Sequence, residues 1–232
     1  MPSILEMLSQ QIGGAQLQEI SRSIGADPAQ TRQAVGAALP VLLGGLAKNA
    51  AASPDAARSL ASALENDHDG SVLDNLGDVL GMLGGGGASG GGLGSMLGGL
   101  AGQMLGGGSP APVNPRAVDG EGILRHVFGE RRAVVEQAVS RAGGLDVSMV
   151  SRLLPMLAPL VMGALGKVKR EQNLDPEGLV SMLGQERTAI ETQAPALGGL
   201  LGLLDADDDG DVKDDLLKLG GSMLGSLFGG KG

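Results

Sequence analysis

The sequence lacks cysteine, tryptophan and tyrosine altogether, and phenylalanine occurs only twice among its 232 residues. Without cysteine, the chain has no disulfides, no thiolate metal sites and no cysteine nucleophile. With only two aromatic side chains, the core has to be built mainly from Ala, Leu, Val and Met, a mixture that favours helices over sheets. We therefore predict an all-α protein.

The motifs of the common enzyme classes are also missing. The sequence contains no phosphate-binding G-x-x-x-x-G-K-S/T, no H-E-x-x-H and no G-x-S-x-G, and its two histidines, His68 and His126, share no motif. A net charge of −9 argues against general binding to nucleic acid. These absences predict a protein that is not an enzyme and binds no nucleic acid. DNA binding through a helical bundle is a minor alternative.

The apolar runs of the sequence are too short to span a membrane. The two densest, Ala34–Ala47 and Leu153–Gly166, fall below the about 20 residues that a membrane span needs. We predict that both are buried core helices, kinked or split by proline after Leu39 and Leu154. The opening residues resemble no secretory signal, so a cytoplasmic location is expected.

What the chain does have is an internal repeat. Four landmarks occur twice in the same order, which chance similarity does not produce. They are a Leu-Pro apolar segment, a helix start with proline, an acidic segment and a glycine-rich tail. We predict two similar helical modules, residues 1–105 (copy 1) and 117–232 (copy 2). The Gly/Pro-rich residues 106–116 are expected to be a linker.

The acidic segment of copy 2, residues 205–215, predicts a cation site. Its D-x-D-x-D-G pattern is the first half of an EF-hand type calcium loop, in which alternate carboxylates converge and glycine permits the turn. The loop's last ligand position holds Leu216, so a later aspartate is expected to close a shorter loop. The predicted ligands are Asp205, Asp207, Asp209, the carbonyl of Asp211, and Asp214 or Asp215.

Copy 1 carries a weaker version of this segment at residues 65–75. Its predicted ligands are Glu65, Asp67, Asp69, the carbonyl of Ser71, and Asp74. Several convergent carboxylates suit calcium best, and magnesium is the alternative ion. The simpler interpretation is an acidic turn whose carboxylates favour the positive end of the following helix.

Each acidic segment is followed by glycine at every fourth residue, in residues 93–106 of copy 1 and 220–230 of copy 2. On a helix these glycines form one ridge that lets two helices approach closely. They are Gly94, Gly98, Gly102 and Gly106 in copy 1, and Gly221, Gly225 and Gly229 in copy 2. We predict packed glycine-zipper helices that associate with the same chain, another chain or a lipid surface. A flexible tail is the alternative.

The stretches ADPAQ…VGAALPVLLGGLA and DHDGSVLDNLGDVLG resemble the bacterial YidB-like family of uncharacterised proteins, here as a tandem duplication. The resemblance covers nearly all of copy 1 and, more loosely, copy 2. It implies an α-helical bundle and no established activity.

These features together predict a calcium-binding, self-associating helical scaffold that forms a homo-oligomer or binds another protein. The alternative is a regulatory module that docks on a partner or, peripherally, on a membrane, with acidic loops that only keep it soluble.

Overall fold

The computed structural model describes residues 3–68 and 115–193, and all the regular structure in these two ranges is helical. The all-α prediction is therefore confirmed. Short 3-10 turns occupy Pro115–Val118 and Gly129–Arg131. The α-helices are α1 Ile4–Gln11, α2 Gly14–Ile24, α3 Pro28–Ala51, α4 Pro54–Asn66, α5 Gly120–Phe128, α6 Arg132–Gly143, α7 Val147–Gln172 and α8 Pro176–Gln193.

Local capping explains where these helices begin and end. Gly25 ends α2 in the left-handed conformation (φ 75°), which glycine adopts without steric cost. The Asp27 carboxylate then accepts a hydrogen bond of 2.8 Å from the backbone N–H of Ala29, and Pro28 opens α3. Ser53 caps α4 in the same way, accepting from the Ala56 N–H at 3.1 Å.

The second copy begins and ends its helices at equivalent residues, although the Asp146 side chain, unlike that of Asp27, makes no capping hydrogen bond. Gly144 ends α6 in the left-handed conformation, with φ of 68°, and Asp146 stands at the start of α7. Asp175 and Pro176 open α8 as Ser53 and Pro54 open α4. In chain order, α1–α4 thus correspond to α5–α8.

The structure corrects two expectations about proline: which prolines of the two copies are equivalent, and whether proline splits the helices. Pro40 and Pro155 looked equivalent in the sequence, but Pro159 is the residue that lies as far beyond Asp146 as Pro40 lies beyond Asp27. Pro155 is an additional proline one turn earlier. The prolines do not split either helix, since α3 and α7 each run unbroken through them. Burial on all sides outweighs the single hydrogen bond that each proline removes.

The apolar runs are buried as predicted, but the helices that contain them are longer than the runs. By length and composition, α3 and α7 are each long enough to cross a membrane. Within their most apolar windows, 78% and 67% of the residues are buried inside the protein. The core helices of soluble proteins pass the same test, so this length alone does not indicate a membrane segment.

One hydrophobic core takes side chains from every helix of the described structure. Helix α3 of copy 1 packs against α6 and α8 of copy 2, while α7 of copy 2 packs against α1, α2 and α4. Each long helix is therefore covered largely by the other copy. The two copies in residues 3–68 and 115–193 share their core rather than forming two separate ones.

Candidate functional site

Only the beginning of the predicted cation sites lies within the described residues. Glu65 stands in the last turn of α4, and Asp67 is the C-cap residue of that helix. The other predicted ligands, Asp69, Ser71, Asp74, Asp205, Asp207, Asp209, Asp211, Asp214 and Asp215, lie outside the described ranges. So do all the predicted zipper glycines, Gly94, Gly98, Gly102, Gly106, Gly221, Gly225 and Gly229. Those predictions stay predictions.

Glu65 makes a contact that its sequence pattern does not suggest. Its carboxylate forms a salt bridge with the ammonium group of Lys169, which lies on α7 of the other copy and is only 7% exposed. A buried ammonium group needs a compensating negative charge. A cation that used Glu65 as a ligand would therefore compete with Lys169 for the same carboxylate.

This ion pair gives a prediction about stability. Glu65→Gln leaves the buried ammonium of Lys169 without its counter-charge. We expect a loss of about 1–2 kcal/mol, less than for a fully buried pair because the Glu65 side chain is 58% exposed. Lys169→Met fills a similar volume without a charge and should be close to neutral. Urea denaturation at neutral pH measures both changes.

The matched control is Glu19→Gln, because Glu19 pairs with Arg22 at 3.5 Å on the surface, where both side chains are well exposed. Its effect should stay within about 0.5 kcal/mol. An equal cost for Glu65→Gln and Glu19→Gln would show that the Lys169 contact does not stabilise the fold.

No group of three or more His, Cys, Asp or Glu side chains within residues 3–68 and 115–193 has a geometry that could hold a metal ion. The structure does, however, bring together the only two histidines of the chain. His68 follows α4 and is 4% exposed, whereas His126 is an exposed residue of α5. Both line one cavity of about 380 Å³. Their sequence separation gave no signal of this, because only the packing of copy 1 on copy 2 joins them.

The cavity has an apolar floor and a polar rim. Leu46, Leu60 and Met162 are buried side chains from three helices of both copies. The ionisable residues of the lining are Asp67, His68, Asp119 and His126. A concave site with an apolar wall and a few polar groups is the usual form of a small-molecule pocket.

The rim residue Asp119 is held in place by the helix that it caps. Its Oδ1 accepts a hydrogen bond of 2.9 Å from the backbone N–H of Gly122 at the start of α5. The side-chain amide of Asn49, another lining residue, donates to the backbone carbonyl of His126 at 3.4 Å. The Asn49 contact joins α3 to α5 beside the cavity.

Residues Arg125–Arg132 include three arginines and one histidine, but this stretch does not present all its charge to solvent. The Arg132 guanidinium donates hydrogen bonds to Glu121 and, at 2.8 Å, to Glu136. These hydrogen bonds raise the pKa of Arg132 above its ordinary value, and the bond with Glu121 contributes most. An arginine engaged by two carboxylates of its own fold is a poor contact for nucleic-acid phosphate.

Comparison with known proteins identifies one family. The family model described as "Bacterial protein of unknown function (DUF937)" matches residues 6–108 and, a second time, residues 94–168. The two matches agree with the internal repeat. A search of curated proteins finds no match, and a search of solved structures finds none either.

Proposed function

We propose that this chain, which belongs to the DUF937 family of bacterial proteins, is a non-enzymatic helical scaffold that binds calcium through its acidic segments and self-associates. One observation carries the proposal. In the sequence, each acidic segment comes after one of two equivalent helices, α4 and α8, which begin at the same cap-and-proline device and pack on each other. The recurrence of the carboxylate pattern after equivalent helices supports a shared role for the two segments.

A repeated framework explains how weak loops can act together. The helices that precede the two segments in the sequence belong to one shared core, so we propose that ordering one segment affects the other through that core. Calcium would neutralise carboxylates that otherwise repel one another. The loss of that repulsion would favour association of the glycine-rich segments that follow, in the same chain or between chains.

Calorimetric titration of the full chain with calcium chloride at neutral pH tests the ion. We expect binding in the micromolar-to-millimolar range, lost in Asp207→Ala/Asp209→Ala. The control is Glu171→Ala/Glu177→Ala, which removes the same charge from exposed helical positions of copy 2. It should bind calcium as the parent chain does.

Size-exclusion chromatography with light scattering tests the assembly. The mass should rise with calcium and fall with chelator in the parent chain, but not in Asp207→Ala/Asp209→Ala. A flat calorimetric trace would refute the calcium site. If calcium had no effect while the chain bound lipid vesicles or another protein, the alternative of a docking module with merely solubilising loops would be favoured instead.

A further inference from the structure

The cavity that contains both histidines offers a binding site separate from the acidic segments. We propose that it binds a small organic amine, with the alkyl body on the apolar floor and the ammonium group at the carboxylate rim. The proposal does not depend on calcium binding. It rests on the shape, lining and charge of a cavity formed by both copies.

The volume of the cavity and its apolar lining indicate the body of the ligand. A volume of about 380 Å³ falls within the range of roughly 300–1,000 Å³ that is typical of small-molecule sites. Leu46, Leu60 and Met162 line it with alkyl and thioether groups, and Met162 adapts readily to the shape of a ligand. A flexible alkyl chain suits such a floor and gains free energy by leaving water.

The charge of the lining residues indicates the head group of the ligand. The lining includes the acidic residues Asp67 and Asp119, and no lysine or arginine of the described residues takes part in it. An anionic ligand would meet two like charges there, whereas an ammonium group would meet two opposite ones. A neutral imidazole adds a nitrogen that accepts a hydrogen bond from ammonium. One histidine from each copy, His68 and His126, lines the cavity.

Two residues of the cavity lining are held in place before any ligand binds, which supports the same site. Asp119 is fixed by the hydrogen bond that its Oδ1 accepts from the Gly122 N–H. His68 is held where its backbone carbonyl packs against Gly166 of α7. A ligand bound between them would touch copy 1 and copy 2 at once, so its binding should also raise the thermal stability of the whole chain.

The experiment is calorimetric titration of the full chain with hexylammonium chloride at about pH 8, where an ordinary histidine is neutral. Chelator is present, so contaminating calcium plays no part. We expect saturable binding, with hexan-1-ol about tenfold weaker and sodium hexanoate not bound. Hexanol binding as tightly as hexylammonium would overturn the proposed ammonium site, and so would the absence of saturable heat from hexylammonium.

Two variants locate the site. Asp119→Asn keeps a good helix cap but removes the charge, and it should weaken hexylammonium about fivefold. Its matched control is Asp175→Asn, because Asp175 caps α8 through the Gly178 N–H at 2.7 Å in the same arrangement. Ala63→Leu fills the cavity and should abolish binding without unfolding the chain. Equal affinities of Asp119→Asn and Asp175→Asn, or full binding by Ala63→Leu, would place the amine elsewhere and refute the proposal.

Discussion

Replacing Gly166 with alanine is expected to lower the free energy of unfolding by about 2–4 kcal/mol. A Cβ atom at this position of α7 would lie 1.8 Å from the backbone carbonyl oxygen of His68 and 3.2 Å from that of Leu64. Both distances are shorter than a carbon and an oxygen can tolerate without movement. The end of α4 would have to leave the surface of α7.

Local adjustment cannot relieve this clash, because both neighbours are main-chain atoms in or directly after the last turn of a helix. Moving them displaces His68, which lines the cavity, and disturbs the packing of Leu64, a fully buried core residue. Gly166→Ala should therefore also weaken the binding of any ligand in the cavity. This one substitution can thus be tested both by a stability measurement and by a binding measurement.

The matched control is Gly36→Ala, also in the interior of a long helix. A Cβ atom there meets nothing within 4 Å, and Gly36 is exposed on α3. Alanine should stabilise the protein by about 0.5–1 kcal/mol, since it restricts the unfolded chain and favours helix. Urea denaturation of both variants decides the matter. If both substitutions stabilised the protein, α4 would not lie against α7 as described.

Much of this framework was predictable from local chemistry. Asp27 before Pro28, Ser53 before Pro54 and Gly25 after an apolar stripe each specify a helix boundary through interactions within a few residues. The stripe Val35, Leu39, Leu42, Leu43 and Leu46 is buried as its spacing predicts. These signals are local, so they survive whatever the rest of the chain does.

The parts that sequence reasoning missed depend on contacts between distant residues. An apolar helix must be covered, but its pattern does not say which copy covers it. The pairing of Glu65 with Lys169 and the presence of His68 and His126 in the lining of one cavity both follow from copy 1 lying on copy 2. The equivalence of Pro40 and Pro159 became visible only when the caps defined the start of each helix.

The shared core gives the second large prediction, a single unfolding transition for both copies. Leu43 of α3 and Leu157 of α7 are 1% and 0% exposed and belong to one cluster. Leu43→Ala and Leu157→Ala should each cost about 2–5 kcal/mol, through lost burial and the cavity that remains. Because one core unfolds as a unit, each variant should shift the same transition.

Differential scanning calorimetry of the full chain checks this directly. The parent chain should show one principal endotherm, displaced to lower temperature by either substitution. Ser9→Ala is the control, since it changes an exposed residue of α1 and should move the transition little. Two endotherms, one sensitive only to Leu43→Ala and the other only to Leu157→Ala, would mean that copy 1 and copy 2 fold separately. In that case the sharing of one core, and with it the two-copy cavity, would be wrong.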